Sequence, residues 1–302
     1  MSSSAASATV EILGLQDKVA CVTGAGGGFG RQYSVSAVKL GACVLVVDIS
    51  KSAAIETKRL CVEAIPGARV EVFVADVSRE EDNIKMIGAC VKYFGRIDIF
   101  WANAGIIGAA PSAENTLKRG SGFIHIDAQG WRDTFAVNLD GVFFGYKAAA
   151  TQMMKQQAGG SIIGTASVAG ILAGGGTMAY SVTKAGVIHL TRTASHYLSG
   201  TNIRVNCICP GVVATKLTTD VIGKTAMNQL EKDFTDGRVW SAFRNPMMRY
   251  GSVVEVSNVA LFLSSNLSTF VNGQAIAVDG GQTAMYNLPA LAGKPPSWFS
   301  KL

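Results

Sequence analysis

The sequence lacks the features that indicate a metal centre, a disulfide framework or a nucleic-acid-binding surface. Its three histidines form no His-x-x-x-His pair and no cluster with cysteine, and none of its six cysteines forms a Cys-x-x-Cys pair. Lysine and arginine are scattered without dense runs, although the chain carries a net charge of +6. We therefore expect no bound metal, reduced and buried thiols, no nucleic-acid partner, and a cytoplasmic location.

The sequence pattern also predicts neither a secretion leader nor a transmembrane helix. Residues 1–14 begin rich in Ser and Ala, with no basic group ahead of an apolar core, and they predict a flexible tail. Residues 156–183 contain no charge, as a membrane span would, but seven glycines interrupt them. A buried strand followed by a glycine loop explains this stretch better, so we expect no membrane association.

What the chain does contain is an alternation of short β-rich runs and helical segments. Strands are predicted at residues 18–22, 42–47, 70–74, 97–101, 161–164, 203–209 and 275–278, and helices at 31–40, 51–64, 79–94, 131–154, 180–198 and 253–264. Strands that alternate with helices pair in parallel through right-handed crossovers. This predicts an α/β fold, a single Rossmann-like doubly wound domain over residues 15–302. Its sheet has about seven parallel strands and carries helices on both faces.

Three segments do not fit this alternation. Residues 108–129 are polar without a clear period, which predicts a surface loop. Residues 212–249 are irregular, polar, interrupted by Gly and contain Met, as expected of a mobile lid over a substrate pocket. Residues 282–302 form a short apolar tail, which we expect to pack on the body or on a neighbouring subunit.

A glycine-rich turn, Thr23-Gly24-Ala25-Gly26-Gly27-Gly28-Phe29-Gly30, joins the first strand to the first helix. Glycine permits positive φ and lets a pyrophosphate approach the backbone closely. The helix N-terminus then offers unpaired N–H groups and a partial positive charge. The turn therefore predicts a dinucleotide site, with Gly24, Gly28, Phe29 and Gly30 as candidate cofactor-binding residues.

Asp48, at the end of the second strand, indicates which dinucleotide binds. A carboxylate there accepts hydrogen bonds from an adenosine ribose and repels a 2′-phosphate. No arginine follows it, since Ile49 is next, so the sequence favours NAD over NADP. Lys51 lies close enough to leave NADP open.

Two further strand ends carry candidate cofactor contacts. Asp76-Val77 follows the third strand, where Asp76 either reaches the adenine amino group or caps the next helix. Asn103-Ala104-Gly105 follows the fourth strand, and small residues at this place fit a backbone that lies against a ligand.

Tyr180 and Lys184 are the candidate proton-transfer pair. Residues four apart share one face of a helix. A free tyrosine has a pKa of about 10, and a nearby ammonium favours the phenolate, so we expect Lys184 to lower the pKa of Tyr180. The pair taken alone is weak evidence, because Tyr and Lys at this spacing usually belong to an ordinary surface helix.

Together these motifs resemble the classical short-chain dehydrogenase/reductase family over residues 18–281. The glycine turn looks like the family's TGxxxGxG motif, and Asp76-Val77 like its adenine-contacting dipeptide. Asn103-Ala104-Gly105 resembles NNAG, with Ala102 in place of the first Asn. The PGxxxT segment along the nicotinamide is represented by Pro210, Gly211, Val213 and Thr215, and Asp279-Gly280-Gly281 resembles the motif after the last strand.

The resemblance also implies a catalytic tetrad of Asn138, Ser167, Tyr180 and Lys184. In that reading Tyr180 exchanges a proton with the substrate oxygen while hydride moves to or from the nicotinamide. Lys184 lowers the pKa of Tyr180 and binds the nicotinamide ribose, and Ser167 hydrogen-bonds the substrate oxygen. Asn138 holds a water that links Lys184 to solvent. Ala166 stands where a second serine is common.

These expectations combine into one function, an NAD(H)-dependent oxidoreductase that interconverts a secondary alcohol and a ketone. Apolar residues of the predicted lid favour a bulky apolar substrate, and a polar sugar alcohol stays open. The lid residues in question are Met227, Phe234, Trp240, Phe243, Met247 and Met248. A catalytically silent NAD-binding scaffold and an NAD-using epimerase or lyase are the alternatives. By resemblance we expect a homotetramer, or else a dimer.

Overall fold

A computed structural model describes residues 13–108, 121–173, 175–222, 228 and 245–285. Seven strands form its sheet: β1 Val19–Thr23, β2 Cys43–Asp48, β3 Val70–Val74, β4 Ile99–Ala102, β5 Gly160–Thr165, β6 Ile203–Pro210 and β7 Ala275–Val278. Their order in the sheet is β3-β2-β1-β4-β5-β6-β7, and every neighbouring pair is parallel. The predicted Rossmann-like sheet is confirmed.

The helices of the described chain alternate with these strands. They are α1 Gly28–Lys39, α2 Lys51–Ala64, α3 Glu80–Phe94, α4 Ser121–Ile124, α5 Ala128–Phe135, α6 Gly141–Gln156, α7 Met178–Tyr197, α8 Lys216–Ile222 and α9 Val253–Ser264. A π-helical turn, Ala136–Asp140, joins α5 to α6. Short 3-10 turns lie at Val168–Gly170, Asn266–Ser268 and Gln282–Ala284. No helix of the described residues is long and apolar enough to cross a membrane.

The sheet is covered on both faces, which explains why its central strands read as continuous apolar runs. All five residues of β1 are buried. Along β4, Phe100 belongs to one core layer and its neighbour Trp101 to the layer on the opposite face. Both side chains are fully buried, as successive residues of a strand between two helical layers should be.

The order of the strands reverses between β1 and β4, the two strands on either side of the switch point. In such sheets a crevice opens at the carboxyl ends of the strands on either side of the switch. The fold therefore places the glycine turn after β1 and Asn103 after β4 at the same edge.

Two predictions about irregular segments need correction. Inside the predicted 108–129 loop, Ser121–Ile124 forms one helical turn, and α5 begins at Ala128 because Asp127 caps it by accepting the Gly130 N–H. Inside the predicted lid, Lys216–Ile222 is a helix. Residues 109–120, 223–227 and 229–244 lie outside the described part of the chain.

The predicted tails and the cysteines complete the fold. Residues 1–12 and 286–302 also lie outside the described residues, whereas Leu15 is fully buried against the core. All six cysteines are buried and free. Among the described residues there is no group of three or more His, Cys, Asp or Glu side chains that could hold a metal ion.

Candidate active site

A cleft of about 280 Å³ opens at the carboxyl ends of the central strands. It brings together most of the residues that the sequence singled out. Those lining it are Gly24, Gly28, Phe29, Asp48, Asn103, Ala104, Gly105, Ser167, Tyr180, Lys184, Pro210, Gly211, Val213 and Thr215. The same lining holds residues that were not among the predicted site residues, namely Gly27, Thr165, Ala166, Lys216, Leu217 and Thr218.

Five predicted residues lie outside that lining: Gly30, Ile49, Asp76, Val77 and Asn138. The side chain of Ile49 is 71% exposed. The Asp76 carboxylate accepts the backbone N–H and hydroxyl of Ser78 at 3.0 and 2.7 Å, so it closes the turn before α3. Helix capping is one role that the sequence predicts for Asp76. Asp76 does stabilise the turn before α3, but the residue that directly precedes the helix is Arg79.

The glycine turn has the geometry that a close backbone approach requires. Gly24 and Gly28 have φ values of +61° and +49°, in the left-handed region that favours glycine. A Cβ on Gly24 would lie 2.8 Å from the Cα of Ala104, so the turn packs directly on the chain after β4. A Cβ on Gly27, by contrast, would meet no atom within 4 Å, because the backbone there faces the open cleft.

Asp48 is built into this turn. Its carboxylate accepts the Gly26 N–H at 2.8 Å and the Ser50 N–H at 2.9 Å. The side chain is half-buried and still lines the cleft. Two backbone donors therefore orient the carboxylate while lone pairs stay available to a ligand in the cleft.

Thr23 and Asn103 tie β1 to β4 beneath the cleft. The Thr23 hydroxyl accepts the backbone N–H groups of Asn103 and Ala104 at 3.0 and 3.1 Å. The Asn103 amide donates to the Thr23 carbonyl at 3.0 Å. Thr23 was not among the predicted site residues, although it is the first residue of the glycine-rich turn that resembles TGxxxGxG.

Ser167 and Tyr180 come from neighbouring elements, the turn after β5 and the first turn of α7. Thr177 caps α7 by accepting the Tyr180 N–H at 3.3 Å, and its hydroxyl donates to the Ile107 carbonyl at 2.7 Å. The start of α7 is thereby fixed to the chain that follows β4. Ser167 is 8% exposed, and its hydroxyl accepts the Ala169 N–H at 3.1 Å.

Lys184 is buried with its ammonium group on the cleft wall. It is 2% exposed, its Nζ donates to the Thr165 carbonyl at 2.7 Å, and it lies 5.5 Å from the centre of the Tyr180 ring. Burial lowers the pKa of Lys184 to about 8. Thr165, another residue that the sequence analysis missed, is the group that orients this ammonium.

The expected effect of Lys184 on Tyr180 is wrong for this structure. Burial raises the pKa of Tyr180, and the hydrogen bond with Ser167 opposes that rise only in part. The reason is geometric, since the Lys184 ammonium lies over the ring of Tyr180 and donates a hydrogen bond to the Thr165 carbonyl. The phenol is consequently neutral at pH 7, the form that can donate a proton.

Asn138 sits in the π-helical turn, fully buried. Its Oδ1 accepts the Ile106 N–H at 2.8 Å and its Nδ2 donates to the Ile106 carbonyl at 2.7 Å. A Cβ on Gly105 would lie 3.2 Å from Asn138 Oδ1 and 3.3 Å from Lys184 Nζ, so both side chains converge on Gly105. The π-helical turn distorts the helix at Asn138, and π-helical turns of this kind are frequent at functional sites.

The burial of the Lys184 ammonium predicts how the free energy of unfolding depends on pH. Because its pKa falls from 10.5 to about 8 on folding, the native state binds fewer protons than the unfolded state between those values. Between about pH 8 and 10.5 the free energy of unfolding of the wild type, minus that of Lys184→Met, should therefore rise with pH by roughly 1 kcal/mol per pH unit. Urea unfolding at a series of pH values measures it.

The control for this prediction is Lys39→Met, which removes an exposed lysine at the end of α1. It is expected to leave the pH dependence as in the wild type, because its ammonium stays in water in both states. A constant difference between wild type and Lys184→Met across the window would contradict the prediction.

Known proteins resemble this chain over nearly its whole length. The family model described as Enoyl-(Acyl carrier protein) reductase matches residues 24–283. The 3beta-hydroxysteroid dehydrogenase 2 of Eggerthella lenta is 32% identical over 270 residues, which is 89% of this chain and 96% of that protein. The trans-4-hydroxycyclohexanecarboxylate dehydrogenase of Sinomonas cyclohexanicum is 34% identical over 280 residues, 90% and 95% of the two chains.

A solved structure agrees with these sequence relatives. The crystal structure of levodione reductase superposes with a TM-score of 0.79 at 32% sequence identity, and the match covers 90% of this chain and 99% of the levodione reductase chain. Fold, site and relatives together define an oxidoreductase of the Rossmann-like class. The chain belongs to the short-chain dehydrogenase/reductase family.

Proposed function

We propose that the protein is an NAD(H)-dependent oxidoreductase that interconverts a secondary alcohol and a ketone. The observation that carries this proposal is that one cleft is lined by Ser167, Tyr180 and Lys184 together with the glycine turn and Asp48. A proton-transfer group and a dinucleotide cradle thus face the same space. Relatives whose names specify a hydroxysteroid and a hydroxycyclohexanecarboxylate support a secondary alcohol.

The residues of the cleft fit a dinucleotide. The turn leaves open space at Gly27, where a Cβ would meet no atom within 4 Å. Gly27 also precedes the first residue of α1, and the unpaired N–H groups at a helix N-terminus favour binding of an anion such as a pyrophosphate. Asp48 would accept the adenosine ribose hydroxyls, and its charge favours NAD over NADP. Asp76, Val77 and Ile49 would flank the adenine, and the segment from Pro210 to Thr215 would lie along the nicotinamide. NAD, when bound, accepts or supplies the hydride.

The protein's own groups hold and move the proton. In reduction the neutral phenol of Tyr180 donates its proton to the carbonyl oxygen and becomes a phenolate; in oxidation that phenolate accepts the proton of the alcohol and returns to the phenol. Ser167 donates a hydrogen bond to the same oxygen and stabilises the charge that develops on it. Lys184 has donors beyond the one given to Thr165, which suit a ribose hydroxyl, and Asn138 would hold a relay water beside it.

The substrate side of the cleft supports an apolar molecule. Leu217 lines the cleft and is 39% exposed. Met178 and Ile171 are not among the lining residues, but they are exposed apolar side chains close in sequence to Tyr180 and Ser167. Met247 lines a second cavity, beside Asp279, and is not part of this lining. Met227, Phe234, Trp240 and Phe243 lie outside the described residues.

The test combines cofactor binding with turnover. Purified protein is titrated with NAD⁺ and with NADP⁺, and then incubated with each and a panel of cyclic secondary alcohols, linear alcohols and sugar alcohols. We expect tighter binding of NAD⁺ and reduction of NAD⁺ by cyclic alcohols. NAD⁺ binding without turnover of any alcohol or ketone would support the silent scaffold, and configurational inversion without net NADH would support an epimerase.

We further propose a homotetramer in the cytoplasm. Large apolar side chains that are exposed on α6 and α7, among them Phe143, Met154 and Val182, support association of subunits. Size-exclusion chromatography with light scattering measures the mass in solution. A monomer there would contradict this part of the proposal.

A further inference from the structure

We propose that Gly170 is a positioning residue that sets where the Ser167 hydroxyl stands relative to Tyr180. Gly170 belongs to the short 3-10 turn that follows Ser167, and this turn packs on α7 at Lys184. The inference rests on the proposed function, because it assigns Ser167 a part in the reaction. It adds a residue that contributes no side chain to the cleft.

The contact is between two backbones. A Cβ on Gly170 would lie 2.6 Å from the carbonyl carbon of Lys184, 2.7 Å from the N of Ala185 and 2.8 Å from the O of Lys184. Side chains can turn away from such a clash, but the backbone in the middle of a helix cannot without breaking its hydrogen bonds. The φ of Gly170 is not in the left-handed region, so the need for glycine here is one of space alone.

A displacement at Gly170 would pass directly to Ser167. The Gly170 N–H donates to the Ser167 carbonyl at 3.0 Å, and the Ser167 hydroxyl accepts the Ala169 N–H within the same turn. On the other side, the Ala166 N–H donates to the Ile208 carbonyl at 2.8 Å and fixes the chain to β6. Ser167 is therefore the link between an anchored strand and the turn that would have to move.

Gly175 packs against Ala169 of the same turn and offers a graded comparison. A Cβ on Gly175 would lie 3.0 Å from the Cα of Ala169 and 3.1 Å from its Cβ. These distances are tight but longer than those at Gly170. An alanine at Gly175 should consequently push the turn less than an alanine at Gly170 does.

The test is a double-mutant cycle with Ser167. Gly170→Ala should lower kcat for the alcohol or ketone that the wild type turns over by about 10- to 100-fold, as expected for a misplacement approaching 1 Å. The apparent NAD dissociation constant should stay within about threefold of the wild type. In a Ser167→Ala background the same change should cost less than about threefold, because the group that it displaces is already gone. Gly175→Ala should show a smaller loss with the same dependence on Ser167.

A second readout does not need turnover. Because the Ser167 hydrogen bond lowers the pKa of Tyr180, both Gly170→Ala and Ser167→Ala should move ionisation of Tyr180 to higher pH. Tyrosinate absorbance, taken as the difference from the same protein carrying Tyr180→Phe, isolates this group. Lys184 over the ring and Cys209 on β6 also face it, and both are unchanged in these variants.

Gly88→Ala is the matched control, since a Cβ at that exposed position on α3 would meet nothing within 4 Å. Equal losses from Gly170→Ala with and without Ser167, or a Gly170→Ala enzyme as active as Gly88→Ala, would overturn the inference. If Gly170→Ala does not fold, the Gly175→Ala cycle decides in the same way. A wild type that binds NAD but turns over no alcohol or ketone would instead count against the proposed function, and the tyrosinate titration would still report on Gly170.

Discussion

Tyr180→Phe is expected to lower kcat by a factor of about 10² to 10⁴ in both directions of the reaction. Removing the phenolic oxygen removes the group that exchanges a proton with the substrate oxygen, and general acid–base catalysis contributes on that order. The ring itself is retained, so the packing beside Lys184 and Gly176 should persist. Steady-state turnover with the best alcohol of the panel, alongside NAD binding by calorimetry, measures the effect.

The matched control is Tyr197→Phe at the other end of α7, where the side chain is 82% exposed. It makes the same chemical change on the same helix away from the cleft, and its kcat should equal that of the wild type. NAD affinity should be unchanged within about threefold in both variants. Turnover by Tyr180→Phe within tenfold of the wild type would refute the proton-transfer role.

Asp48→Asn is expected to change the preference between the two dinucleotides by about 100-fold. A hydrogen bond to a charged group contributes about 1.5–3 kcal/mol, which corresponds to roughly 10- to 150-fold in affinity for NAD. Removing the charge also removes its repulsion of a 2′-phosphate. The measured quantity is the ratio of kcat/KM with NAD to kcat/KM with NADP.

Asparagine is chosen because Asp48 also supports the turn through the Gly26 and Ser50 N–H groups. The amide oxygen can keep one of these bonds, whereas alanine would lose both. Asp127→Asn is the control, since that exposed carboxylate likewise accepts a backbone N–H, from Gly130, and lies at the start of α5. A ratio unchanged in Asp48→Asn would show that the carboxylate does not select the cofactor.

The two predictions test separable parts of one cleft. Tyr180 should affect the chemical step with either dinucleotide, while Asp48 should affect the choice of dinucleotide and leave the pH dependence of turnover unchanged. Their effects should therefore add in the double variant, because each side chain contacts a different part of the site.

Several features could be read from the sequence because they depend on local chemistry. The alternation of apolar runs and helical segments predicted the seven strands in order, since burial on both faces demands continuous apolar residues. The glycine turn, Asp48, and the spacing of Tyr180 and Lys184 were equally visible. Each of these signals lies within a few residues of chain.

Other features were decided only by contacts between residues far apart in sequence. The carbonyl of Thr165 orients Lys184, and Ile106 occupies both polar atoms of Asn138. The rise in the pKa of Tyr180 follows from burial by several elements, which the spacing of two residues does not report. The expectation that Lys184 lowers that pKa was wrong for this reason.

The sequence by itself therefore determined the class of fold, the glycine turn and the set of candidate reactive side chains. Only the tertiary structure decided how those side chains are held, in which protonation state, and which small residues leave them room. Gly170 illustrates the difference. The sequence around it indicates only a small residue in a loop, whereas its proposed positioning role depends on a backbone contact with Lys184, fourteen positions along the chain. Local patterns encode secondary structure, but the distance between two backbones exists only after the chain has folded.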